Sequence, residues 1–443
     1  MVAMPAPITP RLPRGMRDIL PQKMLQRQYV IGEIEKIFQR FGFEPLQTPV
    51  LELRETLMGK YGEDAEKLIY DAKHREGKEE LALRYDLTVP LTRVVAMYPD
   101  LVKPFKRYQI APVWRAERPQ KGRYREFYQC DADIVGSASM LADAEIITMI
   151  YTVLRALGFQ TFVTKINNRK ILTGIGQYAG VPDELLSGLY RAIDKLEKIG
   201  VEGVREEMQR SAIPAPVVDK MIDLISIPPN AINALYERLG EIPIAREGLD
   251  ELAQLATFLN DAGVPPTHYQ FDFAMVRGLA YYTGPIYETV VTEPKIGSLT
   301  GGGRYDNLVG LFSKHSLPTT GTSFGIERII DVMDELAMYP PSIGKTVTEV
   351  LVTVFNADLV GVSLRVTNQL RAAGINTELA LAGDGLGKQL KYAAAKAIPF
   401  TVIIGPDENA AQQATLRDMT TGEQVVVAQT ELAEALRSKL RQN

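Results

Sequence analysis

Residues 113–136 read VWRAERPQKGRYREFYQCDADIVG. From Arg115 to Asp133 there are four arginines and a lysine, in a chain whose formal net charge is -4. Positive charges crowded in this way repel one another unless an anion sits among them. The polar loop ERPQKG, with its proline and glycine, lies between two segments that suit strands, so a β-hairpin is predicted. Side chains alternate faces along a strand. Arg123, Arg125, Phe127, Gln129, Asp131 and Asp133 then share one face of the second arm, and Arg115 and Glu117 share a face of the first. That face offers guanidinium forks that suit phosphate oxygens. It also offers a flat ring that can stack on a base, and an amide and carboxylates that can bind an amine or imidazole. The same residues also suit a solvated edge strand with surface ion pairs. Cys130 alternates to the opposite face and reads as packing rather than as a nucleophile.

The rest of the composition narrows the chemistry. The 443 residues suggest about three domains and are enough for a sizeable core. The single cysteine excludes an internal disulfide and a CxxC metal site, and His74, His268 and His315 are far apart, so no metal site is expected from His or Cys. The proline-interrupted N-terminus lacks the apolar core of a signal peptide, and no apolar run reaches the roughly 18 residues of a membrane span. A cytoplasmic protein is the default expectation, with no membrane partner. The acidic balance argues against bulk electrostatic binding to nucleic acid but allows a local basic surface.

Along the chain, Val30, Ile34, Ile37, Phe38 and Phe41 recur at helical spacing in residues 22–41. An extended segment through Pro49 follows, then strand-like pieces including LALRYDLT and FKRYQIAPVWRAE. LADAEIITMIYTVLRALG carries a helical stripe of Ile147, Ile150, Leu154 and Leu157. Residues 169–262 read as an all-helical insertion. Strands resume at HYQFDFAMVRGLAYYTGPIYETVV and GSLTGGGRYDNLV, and a helix begins near Gly325. PPSIGKT reads as a linker. Beyond it, strands and helices alternate to the end, which predicts a small α/β domain.

Two further clusters bear on chemistry. VRGLAYYTGPIYE places Arg277 near Tyr281 and Tyr282, and GGGRYDNLVGLF reads as a glycine-rich approach to a strand where a ligand could lie against backbone. In TGTSFGIERI, Arg328 falls near a helix start, where a cation opposes the helix dipole unless an anion is bound. The alternative is that Glu327 or another acid partners it. GIGQYAG and GDGLGK are not dinucleotide loops, GLGKQ lacks the Ser/Thr of a P-loop, and no GxSxG elbow exists.

In this order these clusters resemble the signature motifs of class II aminoacyl-tRNA synthetases, and in detail those of the histidyl-tRNA synthetase family. PRGMRDILP resembles that family's N-terminal signature, and GFEPLQTPVLE with the preceding helix resembles motif 1, which builds a dimer interface. VWRAERPQKGRYREFYQCDADIVG resembles motif 2, TTGTSFGIERI motif 3, and VRGLAYYTG the histidine-specific motif. LALRYDLTVP resembles a strand of the amino-acid pocket, and the C-terminal α/β segment resembles an anticodon-binding domain. The resemblance implies an α+β fold: a class II antiparallel-sheet catalytic domain with a helical insertion, plus a C-terminal α/β anticodon-binding domain. The boundaries would be 1–168 and 263–340 for the two catalytic parts, 169–262 for the insertion and 348–443 for the last domain.

It also implies an activity: ATP and L-histidine give histidyl-adenylate, with Mg²⁺ as cofactor, and histidine then passes to tRNA(His). Arg115 and Arg277 would hold the α-phosphate, and Arg123 and Arg328 the β- and γ-phosphates. Glu117 would lie near adenine and Phe127 would stack on it. Asp86, Thr88 and Gln129 would hold the α-amino group. Asp133 and Tyr282 would read the imidazole, with Tyr281 and Tyr305 lining the pocket. Gln120 and Lys121 would face the tRNA acceptor end, and the chain would be a homodimer. Where the family usually has an acidic residue, this chain has Ala280. Rival readings are a catalytically silent paralogue acting as a regulatory subunit, a synthetase for another amino acid, and a protein that only binds RNA. The four phosphate arginines and the C-terminal domain argue against the first; Asp133 and the Arg277–Tyr282 stretch argue against the second. The acidic net charge argues against the third.

Overall fold

The computed structural model describes residues 9–61, 66–119, 122–193, 196–210, 213–276, 281–381 and 383–441. Two compact units emerge: the segment ending at Arg17 with Val30–Met338, and Asp18–Tyr29 with the chain from Tyr339 onward.

The first unit is built on an eight-stranded sheet. Its spatial order is Glu44–Pro45, Phe105–Trp114, Glu126–Val135, Thr319–Phe324, Thr300–Arg304, Pro285–Val290, Val163–Asn168 and Tyr269–Phe271. The interior pairings are antiparallel, and the pairing at each edge is parallel. The sheet is therefore mixed, with the expected antiparallel centre. The two hairpin arms are the longest strands and pair along their whole length, from Phe105 opposite Val135 to Trp114 opposite Glu126.

Alternation along the second arm separates two environments. Cys130, Ala132 and Ile134 turn into the core. There Phe38 of the helix Pro21–Arg40 packs 5.6 Å from Phe324 and 5.5 Å from Tyr108. The Ile147, Ile150, Leu154 and Leu157 stripe is buried as its helical spacing requires. Burial pushes the Cys130 thiol well up, which keeps it inert, as its place in the strand suggested. The opposite face carries Gln129, Asp131 and Asp133.

Helices Arg169–Ala179, Asp183–Ile193, Leu196–Arg210, Ala215–Ile225, Ile232–Leu239 and Pro243–Asp261 follow the strand Val163–Asn168. Asn168 caps the first of them by accepting from the Lys170 amide at 2.9 Å. A small antiparallel sheet is formed by Leu51–Leu53, Leu81–Leu83 and Asp71–Ala72. In the second unit a five-stranded sheet, ordered Thr377–Leu379, Val350–Val352, Phe400–Ile403, Gln413–Asp418 and Gln424–Ala428, packs with the helices Val360–Ala372, Leu386–Ala395 and Leu432–Leu440. Val350, Val352, Val366, Phe400, Val402 and Leu436 form its core.

Three local expectations are corrected. The stretch after Leu83 is not a strand: Thr88–Met97 is a helix, whose Pro90 lies in the first turn where proline is tolerated. Residues 115–119 lie beyond the first arm, which ends at Trp114, so Arg115 and Glu117 occupy loop positions. Gly301, Gly302 and Gly303 lie inside the strand Thr300–Arg304 rather than before one. A Cβ at Gly302 would stand 2.1 Å from the Gly321 carbonyl oxygen, and one at Gly303 2.9 Å from the Tyr282 ring. The glycines thus admit neighbouring protein groups.

Candidate active site

The pocket-side face of the hairpin is lined by charge that water does not reach. Arg107, wholly buried, stands opposite Asp133 in the strand register. Its Nη2 lies 2.8 Å from Asp133 Oδ2 and donates to the Leu87 carbonyl at 3.1 Å. The Tyr305 hydroxyl donates to Asp133 Oδ1. Space for that carboxylate exists because residue 321 is glycine: a Cβ there would meet Asp133 Oδ1 at 2.0 Å. Two residues along the same face, Asp131 is 2% exposed and its Oδ1 has no hydrogen-bond partner among the described residues. Burial pushes its pKa up to about 7, with Arg107 opposing and Asp133 adding to the rise. Asp133 is raised too, first by burial.

The helix start at Thr88 supplies the adjoining wall. Asp86 Oδ1 accepts from the Val89 amide at 3.0 Å and from the Tyr61 hydroxyl at 2.9 Å. It thereby satisfies one of the free N–H groups of the helix N-terminus. Burial raises the Asp86 pKa, and those hydrogen bonds and Arg115 oppose the rise. Gln129 Oε1 accepts from the Leu87 amide at 3.1 Å. Thr88 is hydrogen-bonded to the Tyr281 side chain. Tyr281 in turn packs 4.9 Å from Tyr282 and 5.6 Å from Tyr305. Asp86, Thr88, Gln129, Asp133, Tyr281 and Tyr305 therefore belong to one connected wall.

At the hairpin end, Arg115 donates Nε to the Tyr85 carbonyl at 3.1 Å. Its guanidinium lies 4.4 Å over the Tyr85 ring and 5.1 Å from the Phe127 ring. Two neighbouring rings and a hydrogen bond to the Tyr85 carbonyl hold the cation in place. Arg123 Nη2 donates to Glu117 Oε1 at 2.7 Å. Arg125, expected on the same face, instead donates Nε to the Glu117 carbonyl at 2.9 Å and braces the loop. Arg328, on the first turn of the helix Ile326–Glu335, donates Nη1 to the Ser298 carbonyl at 2.8 Å and to Ser298 Oγ at 3.2 Å. Glu327 pairs with Arg17. Gln120, Lys121, Arg277 and Ala280 lie outside the described residues.

Arg107, Tyr61 and Ser323, which hydrogen-bonds Asp131, were not anticipated. Arg107 and Ser323 enter the site only through strand register, and Tyr61 only through the fold of its loop.

Cations suited to phosphate beside buried carboxylates, on a sheet of this topology, place the molecule among the class II aminoacyl-tRNA synthetases. A family model for histidyl-tRNA synthetase matches residues 15–329, and one for an anticodon binding domain matches residues 349–439. The histidine–tRNA ligase of Aeropyrum pernix is 43% identical over 431 residues, covering 96% of this chain and 98% of that protein. That of Cytophaga hutchinsonii is 42% identical over 451 residues, covering 96% and 99%. The crystal structure of histidyl-tRNA synthetase from a Nostoc species matches with a TM-score of 0.85 at 34% identity, covering 98% of this chain and 100% of that one. The chain belongs to the histidyl-tRNA synthetase family.

Proposed function

We propose that this histidine–tRNA ligase makes its adenylate on the pocket-side face of the hairpin, with Arg115 as the central phosphate cation. The observation that carries the reading is the Arg115 guanidinium, held against the Tyr85 and Phe127 rings and hydrogen-bonded to the carbonyl of Tyr85, the residue before Asp86. One substrate end needs a cation and the other needs carboxylates, and the two meet there.

In the first step a histidine carboxylate oxygen attacks the α-phosphorus of ATP and the bond to the β-phosphate oxygen breaks, releasing pyrophosphate. Negative charge grows on phosphate oxygens, so pre-positioned cations stabilise the transition state more than the bound substrates. Arg115, with Arg277, would hold the α-phosphate. Arg123 and Arg328 would hold the β- and γ-phosphates once Arg123 turns from Glu117. Phe127 would carry adenine. Asp86, Thr88 and Gln129 would receive the ammonium group, while Asp133, Tyr282 and the neighbouring Asp131 would meet the imidazole. ATP would enter as its Mg²⁺ complex, since Mg²⁺ characteristically binds through substrate phosphates with one or two carboxylates. No group of three or more His, Cys, Asp or Glu side chains among the described residues could hold a metal by itself. In the second step a hydroxyl of the tRNA(His) 3′-terminal ribose would attack the histidyl carbonyl, the bond to the phosphate oxygen would break and AMP would leave, with Gln120 and Lys121 facing the acceptor end.

The domain boundaries above, a homodimer and a cytoplasmic location belong to the same reading. Leu51, Leu53, Met97, Tyr98 and Val102 are exposed apolar side chains, which supports a covered surface on the first unit. No described helix is long and apolar enough to cross a membrane.

Pyrophosphate exchange into ATP, run with each amino acid and no tRNA, tests the site. Exchange with histidine alone is expected, and Arg115→Ala is expected to lower it by about 10²–10³. Undiminished exchange in Arg115→Ala would remove Arg115 from the chemistry.

A further inference from the structure

We propose that the N-terminal segment Arg14–Arg17 is a strap that sets the spacing of the phosphate-binding arginines, with Arg17 as its positioning residue. The PRGMRD stretch that contains it has no role in the chemistry above, yet it touches both elements that carry Arg123 and Arg328.

The Arg17 guanidinium lies 3.7 Å over the ring of Tyr124, between Arg123 and Arg125 in the stretch that leads into the returning arm, which begins at Glu126. The same guanidinium pairs with Glu327, whose carboxylate is largely buried on the first turn of the helix that carries Arg328. Two residues back, the Gly15 carbonyl accepts from the Arg125 amide at 2.9 Å. Gly15 has φ +83, in the region that favours glycine. A Cβ there would stand 2.7 Å from Pro119 Cγ and 2.9 Å from Arg125 Cγ. The two sides of the hairpin connection, at Pro119 and at Arg125, therefore both close on Gly15. Arg123 and Arg328 are each one residue away from an anchor of the strap.

The pair with Glu327 contributes to stability, since that carboxylate is largely buried, but the Arg17 side chain is 34% exposed and screened on its own side. What the contacts also supply is geometry. The planar guanidinium can stack on one ring and meet one carboxylate at once, so it holds the hairpin arm and the helix at one separation. Through that separation it would hold the two arginines at the span of a β,γ-phosphate pair.

The strap rests on the assignment of Arg123 and Arg328 to the β- and γ-phosphates, so the test carries a control for that assignment. Histidine-dependent pyrophosphate exchange is measured on the full chain for Arg17→Ala, Arg17→Lys, Tyr124→Leu and Arg328→Ala, with separate KM values for ATP and histidine and a melting curve for each. In Arg17→Ala the KM for ATP is expected to rise about tenfold and kcat/KM for ATP to fall as much as about 10²-fold, as displaced reacting groups do. The KM for histidine should stay within about twofold, because Asp86, Gln129 and Asp131 are held by other contacts. Arg17→Lys keeps the charge toward Glu327 but loses the flat stack and should recover part of the loss; Tyr124→Leu should reproduce the ATP defect. If Arg17→Ala exchanges like the unaltered chain while Arg328→Ala does not, the strap is wrong and the phosphate assignment stands. If Arg328→Ala also exchanges normally, the assignment falls and the strap with it. A loss in Arg17→Ala that follows its melting temperature and moves both KM values together would also overturn the proposal. Should Arg17→Ala fail to fold, Tyr124→Leu gives the same decision from the other anchor.

Discussion

Asp131 and Asp133 put two carboxylates on one buried face, with the Arg107 guanidinium opposite Asp133 to offset them. Like charges brought together out of water favour the protonated form. For Asp131 the pKa rises from near 4 to about 7. Between those values the folded chain keeps a proton that the unfolded chain has released, so this residue's contribution to stability falls as pH rises through the window. Asp131→Asn removes the titration. Its melting temperature relative to the unaltered chain is expected to climb by several degrees from about pH 5 to about pH 8. Calorimetric melts at both pH values check this, and an offset independent of pH would show that Asp131 does not titrate there. The candidate carboxylates were legible from alternation along residues 123–133. Arg107 was not, because only pairing of the two arms brings it opposite Asp133.

At the scale of elements, the glycine positions decide how closely strands and side chains approach. Gly321 lies beside Asp133 across the strand pair Glu126–Val135 and Thr319–Phe324. With 2.0 Å to Asp133 Oδ1, an added methyl must displace the carboxylate or the strand. Gly321→Ala is therefore expected to raise the KM for histidine by about tenfold or more, the scale of one lost buried hydrogen bond to a charged group. The KM for ATP should change little; exchange kinetics check both, and an unchanged KM for histidine would separate Asp133 from substrate binding. Helices were readable where apolar residues recur at 3.6, as in Val30–Ile34–Phe38, which the sheet buries. The helix Thr88–Met97 escaped notice because TVPLTRVVAM mixes β-branched residues with a proline. Its start depends on Asp86 accepting from the Val89 amide.

For the whole molecule, the first unit exposes apolar side chains at Leu51, Leu53, Met97, Tyr98 and Val102. Light scattering on the purified chain is expected to return about twice 49.1 kDa at micromolar concentration. A mass of one chain would leave the motif 1 segment without its proposed role. The division into a sheet-based unit and a C-terminal α/β unit was visible in the PPSIGKT break and the strand–helix alternation after it. By itself the sequence determined what depends on neighbours along the chain: the hairpin and its two faces, the helical stretch after residue 168, the packing role of Cys130, and the motifs that identify the family. Only the tertiary structure decided which charges meet. It set Arg107 against Asp133, Arg123 against Glu117, and Arg17 between Tyr124 and Glu327. Those partners are separated by as many as 310 residues, and sequence periodicity reports which face a side chain takes but not what stands opposite it.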